Sequence, residues 1–182
     1  TVIEEKLGSD YRLDGRSDLY AYLPFFFWGV LESGGTLAII ISNSWLGTHW
    51  GGKLFAALRG FYDIEAIVTS GRGRWFDNAK VVTIVVVLKK KDTPGIDMDT
   101  PTKFVVLRKP LQELTTDEIK QLTAVVSLAP TVDEEDVGIR SYTGLRIEEL
   151  KAVGLNLNSL FSNNDWVNDL ISSLVKASDL FD

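Results

Sequence analysis

The sequence predicts an α/β fold built on a mixed sheet whose last strand runs antiparallel. Three observations carry this. Val81–Leu88 (VVTIVVVL) is a run of β-branched and apolar residues broken only by Thr83, stiff at χ1 and suited to a pleated surface. It shows no polar alternation, so both of its faces are expected to be covered. Upstream, helical and extended patterns alternate, which predicts parallel strands joined by crossover helices. The strand at Ile64–Thr69 is separated from Val81 by roughly ten residues with no helical pattern, too short for a crossover, so that pair is expected to be antiparallel.

Taken in order, residues 1–17 are polar and predict no regular element. Ser17 or Asp18 caps a helix on which Leu19, Leu23, Phe26, Phe27, Val30 and Leu31 recur at three- and four-residue spacing. Pro24 removes a backbone donor inside it, predicting a kink or a start shifted towards the proline. Gly34-Gly35 ends the helix, and Thr36–Ile41 (TLAIII) follows as a buried strand. It runs into the polar turn Ser42-Asn43-Ser44-Trp45, then a helix over Gly52–Gly60, then the strand at Ile64.

The composition shifts after Lys89-Lys90-Lys91, and the run DTPGIDMDTPT reads as an exposed connection. Lys103–Lys109 is a further strand. Thr115 and Glu118 stand at capping-box spacing and start a helix that ends before Pro130. A short helix at Arg146–Val153 closes at Gly154, and Asp165 caps a last one carrying Trp166, Leu170, Ile171, Leu174 and Val175. Residues 1–91 therefore read as one α/β unit, and 92–182 as a smaller, mostly helical extension.

Composition narrows the chemistry. The 182 residues are 45% apolar, enough for a core, and contain no cysteine and one histidine, His49. Disulfides and thiolate metal sites are excluded, a histidine metal site or Ser-His-Asp arrangement is disfavoured, and His49 reads as a surface or packing residue. Net charge is −6, which argues against a protein that coats nucleic acid while leaving room for a local basic loop. The longest apolar stretch, AYLPFFFW, is too short to span a bilayer, and the N-terminus lacks a signal pattern, so a cytoplasmic protein is expected.

Function is expected in the loop Ser70–Lys80 (SGRGRWFDNAK), at the mouth of the central strand. Glycines let backbone approach a ligand, Arg72, Arg74 and Lys80 can meet phosphate, and Trp75 or Phe76 can stack on a base. The competing readings are a solvated loop for the cations and an end-plug of the sheet for the aromatics. Ser42, Asn43, Ser44 and Trp45 follow the carboxyl end of a strand, where α/β sheets bind ligands; helix capping by Asn43 or Ser44 is the alternative.

The run from Gly34 to Lys90 resembles the second half of the catalytic domain of adenine-specific DNA methyltransferases of restriction-modification systems. Asp18-Leu19-Tyr20 looks like the start of the helix that follows the family's catalytic loop. Gly34-Gly35 through Leu46 looks like its fifth strand and exit, and Trp75-Phe76 with Lys80–Leu88 like the hairpin completing its seven-stranded sheet. The resemblance spans about residues 14–91. VGIRSYTGLRIEELKAVG and the terminal KASDLF look, more weakly, like a connector towards a target-recognition domain.

The resemblance implies part of a Rossmann-like class I methyltransferase sheet, S-adenosylmethionine as cofactor and DNA as partner. It implies that Phe76 stacks on the flipped target adenine, that Arg72, Arg74 and Lys80 contact DNA, and that Leu19, Tyr20 and Leu23 face the cofactor. Core packing is the competing role for those last three. The family's Asp/Glu/Phe-x-Gly-x-Gly cofactor turn and Asn/Asp-Pro-Pro-Tyr/Phe catalytic loop are both missing from the sequence, since Gly71-Arg72-Gly73 precedes a strand instead of opening a helix. No catalytic residue and no metal ligand is therefore assigned here, and the chain is expected to be a fragment, inactive alone, that self-associates through the unpaired side of Thr36–Ile41. The other readings are a non-catalytic interaction module, and a methyltransferase-like domain acting on RNA or protein.

Overall fold

The computed structural model describes residues 1–76, 78, 80–128, 131–162, 166, 167, 169–171 and 173. In chain order its elements are α1 (Val2–Leu7), α2 (Leu23–Trp28), β1 (Thr36–Ser42), α3 (His49–Phe61), β2 (Tyr62–Ser70), β3 (Thr83–Lys90), β4 (Thr102–Leu107), α4 (Thr116–Leu128), β5 (Val132–Asp133), β6 (Val137–Tyr142) and α5 (Ile147–Ala152). The strands form one mixed sheet in the order β1-β3-β2-β4-β6-β5. The architecture is α/β with a mixed sheet, as the sequence predicts.

β3 is an internal strand, second from one edge, antiparallel to β1 on one side and to β2 on the other. The alternating pattern upstream does give β1 and β2 a common direction, but they are not neighbours as a simple crossover would make them. The twelve-residue run between β2 and β3, residues 71–82, lets β3 fold straight back into the gap. Ile84, Val86 and Leu88 are sealed on one face of β3, while Val85 and Val87 on the other are only partly covered. Double burial is thus met on one face.

The main core lies between that sealed face and α1, α2, α3 and α5, around Trp45, Phe55, Phe61, Ile67, Ile84 and Phe104. Thr48 starts α3, its Oγ1 accepting from Gly51 N–H at 3.1 Å. Gly51 is required there, since a Cβ would sit 1.7 Å from the Trp45 carbonyl oxygen. The opposite face is covered by α4, whose Leu122, Val125 and Val126 meet Ala66, Val105, Val137 and Ile139. Helices therefore flank both faces, with α4 packed on the cluster formed by β2, β4 and β6.

The helix expected across Leu19–Leu31 is broken. Leu19–Tyr22 forms a 3-10 turn and α2 begins only at Leu23, with Pro24 in its first turn. There the missing N–H costs no internal bond. Gly29 rather than Gly34-Gly35 ends α2, with its N–H on the Phe26 carbonyl at 3.1 Å. Gly34, at φ +67, serves the turn into β1. β1 itself is not buried as expected. It is one of the sheet's two outer strands among the described residues, half-covered, with Ile40 55% exposed.

The extension holds more helix than strand, yet it also adds β4, β5 and β6 to the sheet. β4 continues it across residue 91 through five paired positions with β2, from Ala66–Lys103 to Ser70–Leu107. Buried Arg59 on α3 ties two later segments of the extension to the main core, donating from Nη2 to the Asp97 carbonyl at 2.8 Å and from Nη1 to that of Leu145 at 3.2 Å. The Thr115–Glu118 box and the Gly154 stop both form. Asp165, Leu174 and Val175 lie outside the described residues; Trp166, Leu170 and Ile171 are helical, with Ile171 in the main core.

Candidate functional site at the carboxyl end of the sheet

β1, β2 and β4 run the same way, so Ser42, Ser70 and Leu107 end at one rim of the sheet. That rim is where side chains from separate strands converge without breaking ladder hydrogen bonds.

The loop leaving β2 is fastened to the exit of β4. Gly71 N–H donates to the Leu107 carbonyl at 2.7 Å, and Arg72 Nε to that of Arg108 at 2.6 Å. Ser70 Oγ accepts from Arg72 N–H at 3.1 Å, and Gly73, at φ +98, reverses the chain. The loop then splits its aromatic pair. Trp75 is 6% exposed, with its carbonyl taking a hydrogen bond from Gln112 Nε2 at 3.2 Å. Phe76 is 46% exposed. Trp75 has the surroundings of a plug, whereas Phe76 presents much of its ring outward. Both line a mainly apolar groove of about 810 Å³ that continues over Val85, Val87 and Val105 towards Leu122. Arg74 and Lys80 stand exposed on the same loop.

The second cluster forms at the exit of β1. Tyr20 Oη lies 3.2 Å from Ser44 Oγ, and Ser42 Oγ donates to Ser44 Oγ at 3.1 Å. Ser44 N–H also reaches Ser42 Oγ at 3.2 Å. Burial pushes the Tyr20 phenol above its ordinary pKa, against the hydrogen bond from Ser44, so it stays neutral. Its ring tilts against Trp50 at 6.2 Å. Leu19, 84% exposed, and Leu23, 40% exposed, face outward beside this cluster. Tyr20 thus turns inward while its two companions do not.

Asn43 stands at the cap position of the turn Ser44–Gly47 without a side-chain cap bond, and Trp45 is fully buried. His49 is exposed at the start of α3. The exits of β1 and β2 are two strand spacings apart, about 10 Å, because β3 lies between them.

Sequence reasoning missed the neighbours of the basic loop. Arg108 Nη2 pairs with Asp133 Oδ1 at 2.6 Å, and Lys109 with Glu118. The adjacent Arg-Lys after a strand and the Asp133–Asp136 run were visible, but only β4–β6 pairing shows that they meet. Among the described residues no group of three acidic, histidine or cysteine side chains converges as a metal site, and no helix is long and apolar enough to cross a membrane.

No protein-family model and no curated protein matches the sequence. Solved structures share its architecture, among them the following two. The type IIG restriction endonuclease BpuSI superposes with a TM-score of 0.54 and 16% identity over 82% of this chain and 17% of its own. The methyltransferase subunit of a type I restriction-modification system from Streptococcus thermophilus gives 0.54 and 18% over 78% of this chain and 29% of its own. The chain shares an α/β fold with part of each of these structures, and it spans less than a third of either.

Proposed function

We propose that this chain supplies the target-base side, and part of the cofactor side, of a DNA adenine methyltransferase dependent on S-adenosylmethionine and belonging to a restriction-modification system. The observation that carries the reading is the division of labour in the loop after β2: Trp75 anchors it, and Phe76 stands half-exposed at the rim where β1, β2 and β4 end. A base drawn out of a duplex loses its stacking partners, and an exposed aromatic ring on a fastened loop replaces them. Arg72, held through Nε, keeps the rest of its guanidinium for phosphate, with Arg74 and Lys80 further along the loop. Residues 1–91 carry these roles, and 92–182 lead towards a recognition domain.

S-adenosylmethionine supplies the methyl group when bound. The exit of β1 fits one flank of it: Leu19 and Leu23 offer an apolar surface for a purine, and the Tyr20–Ser44–Ser42 hydroxyls stand beside them. The chain holds no catalytic prolyl loop, and its one Gly-x-Gly, Gly71-Arg72-Gly73, does not open a helix, so the chemistry falls to residues outside this chain, in a cytoplasmic enzyme.

The test is Phe76→Ala in the methyltransferase that carries this segment. Loss of stacking lowers DNA affinity or turnover by about 1–3 kcal/mol while leaving cofactor affinity unchanged. Phe76→Trp retains most of the activity, since the need is for a π face. A parallel fall in cofactor binding, methylation and melting temperature would show that Phe76 only packs.

A further inference from the structure

The loop that carries Phe76 is held by residues beyond 91. Two of the ties sit before the chain reverses: Gly71 N–H on the Leu107 carbonyl at 2.7 Å, and Arg72 Nε on that of Arg108 at 2.6 Å. Gly73 follows at φ +98, a backbone region that glycine enters at little steric cost. Ties before such a pivot leave the direction of the chain after it unset. Gln112 takes hold beyond it, its side-chain Nε2 donating to the Trp75 carbonyl at 3.2 Å. The amide nitrogen is the end that faces Trp75, because a carbonyl oxygen only accepts.

The place where that bond lands gives it leverage. The Trp75 carbonyl shares a planar peptide with the Phe76 N–H and Cα, so a bond to its oxygen fixes the plane from which Phe76 departs. The Trp75 indole supplies no such tie, since its Nε1 is buried with no hydrogen-bond partner among the described residues. Packing of the indole sets the depth of Trp75, and the Gln112 amide sets the tilt of the peptide that follows.

Gln112 is itself firmly placed. It lies in the 3-10 turn Leu111–Glu113, with Pro110 at its head and the Pro110 carbonyl accepting from Glu113 N–H at 3.0 Å. The Lys109–Glu118 pair spans that turn and joins it to α4. Leu111 and Leu114, on either side of Gln112, line the same groove as Trp75 and Phe76.

We infer that Gln112 is a positioning residue for Phe76: its amide holds the Trp75–Phe76 peptide so that the ring faces the target base. This rests on the reading of Phe76 as the base-stacking ring and adds the residue that orients it. Gln112 acts through Phe76, not on the base itself.

The test is a double-mutant cycle in the methyltransferase that carries this segment, with Gln112→Met and Phe76→Ala made singly and together. Methionine matches glutamine in length and cannot donate. Gln112 is exposed, so its replacement leaves melting temperature and S-adenosylmethionine affinity unchanged. With Phe76 present, Gln112→Met lowers kcat/KM for DNA methylation about two- to tenfold, the range of one neutral hydrogen bond. In the Phe76→Ala background the same substitution has no further effect. An undiminished rate in Gln112→Met, or an equal loss in both backgrounds, overturns the inference and leaves the base-stacking reading standing. A melting temperature that falls along with the rate makes Gln112 structural and overturns it too. If Phe76→Ala by itself leaves methylation unchanged, the base-stacking reading falls and the inference falls with it.

Discussion

Two adjacent aromatic residues show how one loop holds a structural and a functional role apart. The buried indole of Trp75 is packing, and the half-exposed ring of Phe76 is presentation. The two predict opposite stability effects. Trp75→Ala should destabilise by about 3–5 kcal/mol, as deletion of a buried aromatic does, and should lower the melting temperature clearly. Phe76→Ala should shift it little, because half of its ring is already in water. Thermal unfolding of the two variants side by side is the check, and equal losses would place both rings in the core.

At the scale of the element, α4 depends on its first turn. Glu118 accepts from Thr115 N–H and Oγ1 at 2.7 Å, and Lys109 pairs with the same carboxylate. The Lys109 ammonium first, and then the Thr115 N–H, hold its pKa down at about 2 from an ordinary 4.5. A carboxylate with a depressed folded pKa contributes stability that is complete above the unfolded value and is lost as pH falls through the folded one. Melting temperature should therefore drop between pH 4.5 and 2 more steeply in the native chain than in Glu118→Gln. Parallel curves would mean that the box contributes nothing that titrates.

At the scale of the molecule, a single sheet crosses the point where the composition changes. Division into residues 1–91 and 92–182 is a proposal about role, whereas β2 and β4 bind the two stretches into one ladder. Cutting after Lys91 would leave the β4 side of β2 unpaired and strip α4 from Ala66. Residues 1–91 alone should therefore lose cooperative unfolding and aggregate. A fragment that melted sharply at the parent temperature would show that the extension is only an appendage.

What the sequence settled by itself was local: β-branched content made β3 a strand, the short connection before it forced a reversal, Pro24 moved the start of α2, and Thr115 with Glu118 began α4. Each follows from the sterics or hydrogen bonding of a few neighbouring residues. The chemistry of the loop at Arg72–Phe76 was legible for the same reason, as composition. Only the tertiary structure decided that β3 enters between β1 and β2, that Gly138 and Ile139 belong to a strand beside β4, and that Trp75 is covered while Phe76 is not. Val137–Tyr142 carries two polar residues and a glycine, too weak a pattern to identify as a strand without its partner. Burial and pairing depend on residues far apart in the chain, and the free energy that selects among arrangements is shared by surfaces that meet only once the sheet has closed.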